Sequence, residues 1–148
     1  MRKLLILADD VSGTADCANA CTSSGLNAVV SFENLDEEFE GEVLSVDCDT
    51  RHLSPAEAAA RVTRIMRSPL LRPDQLVFKK IDSTLRGNVG SELRATLNER
   101  RGTSTNRIVA VMAPAFPAGG RTTVDGYQLR QQSQDGARPS GSVCAHSA

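Results

Sequence analysis

The sequence predicts an α/β fold in which a mainly parallel sheet lies between two layers of helices, a three-layer α/β/α arrangement. Short apolar runs alternate with helical patterns along the chain, and strands that alternate with helices need crossover connections, which favour parallel pairing. The chain has 148 residues, of which 40% are hydrophobic and 24% charged, a composition typical of a globular protein. We therefore expect one domain with a single core.

The first half of the chain predicts three strands and two helices. Residues 3–8 form a short apolar run between polar neighbours, the pattern of a strand buried on both faces. Ser12 is expected to cap a helix that runs to about Ser24, and strands are expected over residues 28–32 and 43–46. The next helix, over residues 54–67, begins with an N-cap serine, a first-turn proline and a capping-box glutamate.

The second half predicts two further strands and one helix, followed by a tail. Residues 75–81 and 107–113 have the apolar character of strands, and residues 88–100 have apolar positions at helical spacing. Residues 130–148 show no periodicity and almost no large apolar side chain, so we expect this tail to be disordered. The predicted folded part is residues 1–129.

Composition excludes several classes of protein. No apolar run reaches the roughly 18 to 20 residues of a membrane-spanning helix, and the apolar stretch near the N-terminus is too short for a signal peptide. The four cysteines form no CxxC pair, which indicates reduced thiols and a cytoplasmic protein. Aromatic residues make up 3% of the chain, with no tryptophan, so a base-stacking platform for nucleic acid is not expected.

The charges are unevenly divided along the chain. Residues 1–50 contain two basic and eleven acidic residues, whereas residues 51–148 contain fifteen basic and seven acidic residues. A basic half can indicate nucleic-acid binding, but Arg61, Arg64 and Arg67 recur at helical spacing, which is typical of a solvated helix face. We expect no nucleic-acid partner.

Polar segments follow four of the predicted strands, where open parallel sheets collect their ligands. Asp9 and Asp10 follow the first strand beside a helix N-terminus, where they either accept hydroxyl groups of a ligand or serve only as a cap and a solvated acid. After the third strand, Arg51 can hold a carboxylate or phosphate through two parallel bonds. The neighbouring His52 has no metal-ligand spacing around it, so no metal site is predicted.

The segment over residues 78–90 holds three cations, one acid, two hydroxyls and two glycines. In a strand Lys79 and Lys80 point to opposite faces, so at most one of them can line a site. After the fifth predicted strand, Arg121 follows a loop of prolines and glycines that either shapes a site or is only a structural connection. Neither a P-loop nor a GxGxxG motif occurs, so no standard nucleotide phosphate cradle is predicted.

The four strand ends together offer acids, cations and hydroxyls, which suits a small, anionic, hydroxylated ligand such as a sugar acid. Cations would hold the carboxylate of such a ligand, and acids would accept from its hydroxyls. No nucleophile elbow with a Ser-His-Asp order is present, so covalent hydrolase chemistry is not expected.

These segments resemble the motifs of the four-carbon acid sugar kinase family, which includes 3-oxo-tetronate, D-threonate and D-erythronate kinases. The matching stretches lie within residues 7–16, 49–53, 78–88 and 113–122, and the third of them, with the sequence KKIDSTLRGN, is specific. The resemblance runs from about Leu4 to Leu129 and covers only the N-terminal, substrate-binding domain of the family.

The resemblance implies ATP-dependent phosphorylation of a terminal hydroxyl on a four-carbon sugar acid. ATP and Mg²⁺ would be bound by a second, C-terminal domain that this sequence lacks, so we expect neither to bind tightly here and no turnover by the chain alone. The resemblance makes Asp10 and Asp82 candidates for orienting the attacking hydroxyl, with no catalytic base assigned. The candidate substrate-binding residues are Asp10, Ser12, Arg51, Lys80, Asp82, Ser83, Arg86 and Arg121.

The sequence departs from the family at about Arg130, where the family continues into further strands of the same domain. We therefore expect a sheet that is incomplete at its C-terminal side, with exposed edges through which the chain could self-associate. The hypothesis is a truncated or frameshifted gene product. The alternatives are a stand-alone sugar-acid-binding protein or a non-functional remnant.

Overall fold

The computed structural model describes residues 3–32, 35, 40–72, 74–103, 107–130 and 138–142. The chain divides into two units. An α/β unit comprises Met1–Lys80 and Gly87–Ala110, and an antiparallel unit comprises Ile81–Arg86 and Val111–Ala148.

The elements of the α/β unit in chain order are β1 (Leu4–Ala8), α1 (Val11–Ser23), β2 (Ala28–Phe32), β3 (Val43–Asp47), α2 (Pro55–Met66), β4 (Leu76–Lys79) and α3 (Val89–Thr103). The four strands form a parallel sheet with the order β2-β3-β1-β4, which confirms the predicted α/β class. Helix α1 connects β1 to β2, helix α2 connects β3 to β4, and α3 follows β4.

The core lies around β1 and β3, the two inner strands. Leu5 and Leu7 of β1 face the same side as Leu44 and Val46 of β3, and all four are fully buried against α2 and α3. Burial of one such side chain contributes roughly 1.5–3 kcal/mol. Because helices cover both faces of these strands, the strands read in the sequence as continuous apolar runs. The inner pair therefore fixes the positions of the loops that follow it.

Helix starts agree with the sequence at α2 and differ at α1. At α2, Ser54 and Glu57 form the predicted reciprocal capping box, with proline in the first turn. At α1, the N-cap is Asp10 rather than Ser12, because the Asp10 carboxylate accepts from the backbone N–H of Gly13 and the helix begins at Val11. The prediction of Ser12 as the cap is therefore wrong, and Ser12 lies in the first helical turn.

The described part of the antiparallel unit contains the strands β5 (Arg121–Val124), β6 (Tyr127–Arg130) and β7 (Arg138–Ser142), which pair in that order. A two-residue turn at Asp125 and Gly126 joins the first two strands, and both residues have positive φ, 50° and 80°. That backbone twist matches the twist of paired strands, which is why such turns favour Asp-Gly.

The predicted strand over residues 107–113 is wrong. The structure gives this stretch no regular secondary structure, and Val109 and Val111 are 68% and 89% exposed. Apolar, β-branched composition favours a strand only where a neighbouring strand completes the hydrogen-bond ladder. Among the described residues this stretch has no such neighbour.

The predicted disordered tail is described only in part. Residues 138–142 of that tail form β7 beside β6, whereas residues 131–137 and 143–148 lie outside the described residues. Antiparallel pairing uses backbone groups, so it needs little of the apolar patterning whose loss suggested disorder. The domain boundary at residue 129 stays a prediction. No helix in the described ranges is long and apolar enough to cross a membrane.

Candidate functional site

Two aspartates and an arginine meet at the carboxyl ends of β1 and β3. Asp9 and Asp10 directly follow β1, and Arg51 lies in the loop after β3, so parallel pairing of these strands brings them together. The Arg51 Nε and Nη2 donate to the two carboxylate oxygens of Asp9, both at 2.9 Å. The Arg51 Nη1 donates to Asp10 Oδ2. One guanidinium therefore bridges both aspartates.

The three side chains differ in access to solvent. The side chain of Asp9 is 5% exposed, that of Arg51 19% and that of Asp10 26%. Asp9 holds Arg51 from the buried side, and Asp10 is the more exposed of the two carboxylates. The Arg51 guanidinium already donates three hydrogen bonds to Asp9 and Asp10. This arrangement favours a role in neutralising the two aspartates over bidentate binding of a ligand carboxylate.

Lys80 passes close to the start of α1. The N–H of Lys80 donates to the carbonyl of Leu7, and a Cβ placed on Gly13 would lie 3.2 Å from Lys80 Cγ and 2.9 Å from Asp10 Oδ1. A glycine at position 13 thus gives room both to the aspartate cap and to the lysine stem. Ser12, another predicted contact, is exposed in the first turn. Asp9, Asp10 and Lys80 therefore lie at the carboxyl ends of their strands, close to the start of α1.

Lys79 takes the opposite side of β4, as the strand alternation predicts. Its Nζ lies 2.6 Å from Glu92 Oε2 on α3, and the two side chains are 8% and 1% exposed. The Lys79 Nζ also donates to the carbonyl of Lys80 at 3.2 Å. Burial beside this pair raises the pKa of the Cys48 thiol to about 12, against the opposing charge of Lys79. Lys79 is thus part of the core, whereas the stem of Lys80 lies beside Gly13 at the start of α1.

Asp82 and Arg86, two predicted contacts, form a local cluster in the antiparallel unit. Arg86 Nη2 donates to Asp82 Oδ1 at 2.6 Å, and both the N–H and the hydroxyl of Thr84 donate to Asp82 Oδ2. The hydrogen bond from Arg86, opposed by desolvation and assisted by Thr84, holds the pKa of Asp82 well below its usual range. Asp82 is therefore a carboxylate that resists protonation.

Gln128 organises the remainder of the antiparallel unit and was not predicted. It is 1% exposed, and its Nε2 donates to the carbonyls of Ser83 and Pro114 at 3.1 and 3.2 Å. The hydroxyl of Thr123 donates to Gln128 Oε1 at 2.8 Å. Ser83 thus contributes a backbone carbonyl here. The Nε of Arg121 is buried without a hydrogen-bond partner.

The structure therefore gathers the predicted site residues in two groups. Asp10 and Arg51 are in contact near Lys80 in the α/β unit, whereas Asp82 and Arg86 pair in the antiparallel unit. Sequence reasoning marked Asp9 as one of two acids but omitted it from the candidates, although burial makes it the anchor of Arg51. Gly87 and Asn88 belong to the specific KKIDSTLRGN stretch but were not among the candidate site residues, and Gln128 was not singled out at all.

Comparison with known proteins gives the chain a family. A family described as a sugar-binding N-terminal domain matches residues 4–141. A D-threonate kinase from Cupriavidus necator is 42% identical over 125 residues, which cover 82% of this chain and 28% of the kinase. A D-erythronate kinase from Heliobacterium modesticaldum is 35% identical over 133 residues, which cover 87% of this chain and 29% of that kinase. Further relatives are named 3-oxo-tetronate kinase.

A solved structure shares the fold. A protein from Bordetella bronchiseptica, crystallised with citrate as a domain-swapped dimer, superposes with a TM-score of 0.69 at 32% identity, over 84% of this chain and 32% of that one. This chain thus spans less than a third of the length of the relatives it matches. It belongs to the sugar-binding N-terminal domain family, whose relatives named here are four-carbon acid sugar kinases.

Proposed function

We propose that this chain binds a four-carbon sugar acid as the substrate-binding part of an ATP-dependent kinase that phosphorylates a terminal hydroxyl. The observation that carries the proposal is the cluster of Asp9, Asp10 and Arg51 beside Lys80, in a chain 42% identical to a D-threonate kinase. The Bordetella relative supports the ligand class, since citrate is a hydroxylated carboxylic acid.

The chemistry of the cluster fits the hydroxyls of such a ligand. Each carboxylate oxygen has two acceptor positions, so Asp10 can accept from a ligand hydroxyl beside its bonds from Arg51 and Gly13. Arg51 offsets one of the two negative charges, and Lys80 supplies a cation for the carboxylate of the ligand. Asp10 would then orient a hydroxyl, which is the main task of a protein in phosphoryl transfer.

Asp82 is the weaker candidate for accepting a proton from the hydroxyl. Its pKa is lowered mainly by the hydrogen bond from Arg86, and a general base works best when its pKa lies near the working pH. Its proposed role is therefore limited to orientation by hydrogen bonding. Ser12, Ser83, Arg86 and Arg121 stay predicted substrate contacts.

Among the described residues no group of three or more His, Cys, Asp or Glu side chains could hold a metal ion by itself. Mg²⁺ usually needs only one or two carboxylates together with the phosphates of a nucleotide, so its place follows that of ATP. The sequence has no standard phosphate loop. We propose that a second domain, of the kind that the longer relatives have room for, binds the nucleotide. The chain alone would then bind the acid without turnover.

Calorimetric titration tests this proposal. We expect heat of binding for at least one of D-threonate, D-erythronate and 3-oxo-tetronate. Asp10→Asn should weaken binding at least tenfold while keeping the helix cap, since asparagine caps as well as aspartate does. The matched control is Asp16→Asn, an exposed aspartate on the same helix, which should bind as the wild type does. Absence of binding to all three acids by the wild-type chain would overturn the proposal.

An assay of ADP release separates the alternatives. With ATP and a bound four-carbon acid, we expect no ADP release from the purified chain alone. Release above the background of heat-treated protein would show that the chain is itself a kinase. Binding without release fits both the kinase part and a stand-alone binder, and restored turnover upon adding the C-terminal part of a relative separates these two. A remnant would show neither binding nor turnover.

Self-association is the proposed partner interaction. Within the described residues β4 is an edge strand, and its Leu76 and Phe78 are 69% and 47% exposed. Unpaired edge strands with exposed apolar side chains favour pairing with another chain. Sedimentation velocity should show a dimer whose fraction increases with protein concentration, and Leu76→Lys should reduce it. A monomer at all concentrations would contradict this part.

A further inference from the structure

We infer that Asn88, assisted by Gly87, is a positioning residue that holds Arg51 in its bridge between Asp9 and Asp10. The effect of Asn88 on ligand binding rests on the proposed function, whereas the effect of Asn88 on Arg51 does not. No bond joins Asn88 to the guanidinium itself. The inference rests instead on how the loop that carries Arg51 is fixed.

The loop is fixed on one side by Asn88, which directly precedes α3. Its side-chain Nδ2 donates to the carbonyls of Thr50 and Leu53, both at 2.9 Å. These two carbonyls flank Arg51 and His52 in the chain. An amide nitrogen has two N–H bonds, and each of them is used on one carbonyl. The Asn88 side chain therefore fixes both ends of the loop that contains Arg51.

The other side of the loop is fixed by Asp9. The backbone N–H groups of Thr50 and Arg51 donate to the carbonyl of Asp9 at 3.1 and 3.2 Å, in addition to the side-chain bonds described above. The backbone of Arg51 is thus tied to the same residue that its guanidinium grips. A long arginine side chain loses conformational entropy when it forms three bonds in one geometry. Holding its backbone in place lowers the number of conformations that this bonding must still exclude.

Gly87 makes the close approach possible. It has a φ of +85°, and a Cβ at this position would lie 2.8 Å from Asp9 Oδ2 and 3.7 Å from Arg51 Cα. Any other residue would meet the carboxylate that anchors Arg51 and would also be strained in its backbone. The Gly-Asn pair therefore brings a two-donor side chain within reach of the loop without displacing Asp9.

A simpler role for Asn88 is to cap α3, and aspartate distinguishes the two roles. Aspartate equals asparagine as an N-cap, so Asn88→Asp would leave a purely capping role intact. A carboxylate has no N–H to donate, however, and would face the carbonyl oxygens of Thr50 and Leu53. If Asn88 positions Arg51, this isosteric change must release the loop.

The readout is the Arg51 Nε–H signal in a ¹H–¹⁵N spectrum, assigned by its loss in Arg51→Lys. In the wild type this proton is bonded to a buried carboxylate, so it should exchange slowly with water. In Asn88→Asp its exchange should accelerate at least about tenfold, since two loop bonds are lost. The control is Asn98→Asp, an exposed asparagine on the same helix, which should leave the signal unchanged.

The affinity for D-threonate gives a second readout. We expect it to fall about tenfold in Asn88→Asp and to stay unchanged in Asn98→Asp, since a freed Arg51 no longer neutralises Asp10. Unchanged exchange of Arg51 Nε–H in Asn88→Asp would overturn the inference. If the wild type binds no four-carbon acid, the proposed function fails, and the exchange measurement still decides the inference.

A measurement on the wild-type chain decides the case in which Asn88→Asp does not fold. The two Nδ2 protons of Asn88 should exchange at least about tenfold more slowly than those of the exposed Asn98, since both are bonded to backbone carbonyls. Equal exchange rates at the two asparagines would overturn the inference without any variant.

Discussion

The cluster of Asp9, Asp10 and Arg51 and the cluster of Asp82 and Arg86 are built in opposite ways. In the α/β unit, Arg51 pairs with Asp9 and Asp10 across about forty residues of sequence, and its side chain is 19% exposed. In the antiparallel unit, Arg86 pairs with Asp82 four residues away, and its side chain is 67% exposed. The first cluster exists only when β1 and β3 pair, whereas the second can form within one loop.

This difference sets the energetic consequence of removing each arginine. Removing one partner of a buried ion pair leaves a charge without compensation and typically costs about 3–5 kcal/mol. An exposed pair typically contributes about 0.2–1 kcal/mol, because solvent screens it and side-chain entropy opposes it. The same two residue types therefore serve the fold in one place and only the local loop conformation in the other.

Arg51→Ala should produce the largest effect. The substitution leaves Asp9 and Asp10 close together with no cation between them, so the free energy of unfolding should fall by about 3–5 kcal/mol. Urea denaturation followed by circular dichroism measures the change. Arg94→Ala, at an exposed position on α3, is the control and should change the free energy by less than about 0.5 kcal/mol. A decrease in the free energy of unfolding of less than about 1 kcal/mol in Arg51→Ala would contradict the expected difference in stability between the two clusters.

Gly13→Ala should have an intermediate effect that shows how tightly the first cluster is packed. The added methyl group would meet Asp10 Oδ1 at 2.9 Å and Lys80 Cγ at 3.2 Å, and overpacking of this kind costs about 1–3 kcal/mol. The better helix propensity of alanine offsets about 1 kcal/mol of this loss.

The matched control for Gly13 is Gly90→Ala on α3, where, apart from the chain neighbours and the backbone of the same helix, no atom of the described residues lies within 4 Å of the added methyl group. The free energy of unfolding of this variant should increase by about 0.5–1 kcal/mol, since only the higher helix propensity of alanine acts there. Urea denaturation of both variants measures the difference. Equal gains at the two positions would show that the start of α1 has spare room around Asp10.

Arg86→Ala should have the smallest effect on stability and a clear effect on acid titration. The free energy of unfolding at pH 7 should change by less than about 1 kcal/mol. The pKa of Asp82 should rise toward its ordinary value of about 3.8, because the hydrogen bond from Arg86 is the main cause of its depression. The carboxyl carbon shift of Asp82, followed against pH by NMR, reports this pKa.

The sign of the pH dependence follows from that depressed pKa. The folded chain binds the Asp82 proton more weakly than the unfolded chain does. The Asp82 carboxylate therefore contributes fully to the free energy of unfolding above about pH 3.8, and this contribution is lost as the pH falls through the lower pKa of the folded state. In Arg86→Ala this acid-dependent loss should shrink. An unchanged Asp82 titration would show that Thr84 and the loop backbone, rather than Arg86, hold the carboxylate.

The sequence predicted those features that depend on local patterns. The order of strands and helices from β1 to α3, the capping box at Ser54 and Glu57, and the opposite faces of Lys79 and Lys80 all follow from periodicity and spacing. The carboxyl ends of the strands were marked as polar because parallel sheets bring them to one edge. Membership of the family followed from the motifs at these positions.

The features that the sequence missed depend on contacts between distant residues. Nothing in the local pattern around Asp9 reveals that Arg51 closes on it, and the buried Gln128 stands in a stretch that reads as polar. The strand expected over residues 107–113 has the right composition, yet a strand also needs a partner for its ladder. Asn88 looked like part of a motif, and only the fold shows which carbonyls it holds.

The most direct test of where the acid binds is a titration of the ¹⁵N-labelled chain with D-threonate, followed by ¹H–¹⁵N spectra. We expect saturable shifts of the amide signals of residues 9–14, of Lys80 and of the Arg51 Nε–H, with little change along the exposed face of α3. Shifts that avoid the ends of β1 and β3, or no shifts with any of D-threonate, D-erythronate and 3-oxo-tetronate at millimolar concentration, would contradict binding at this place.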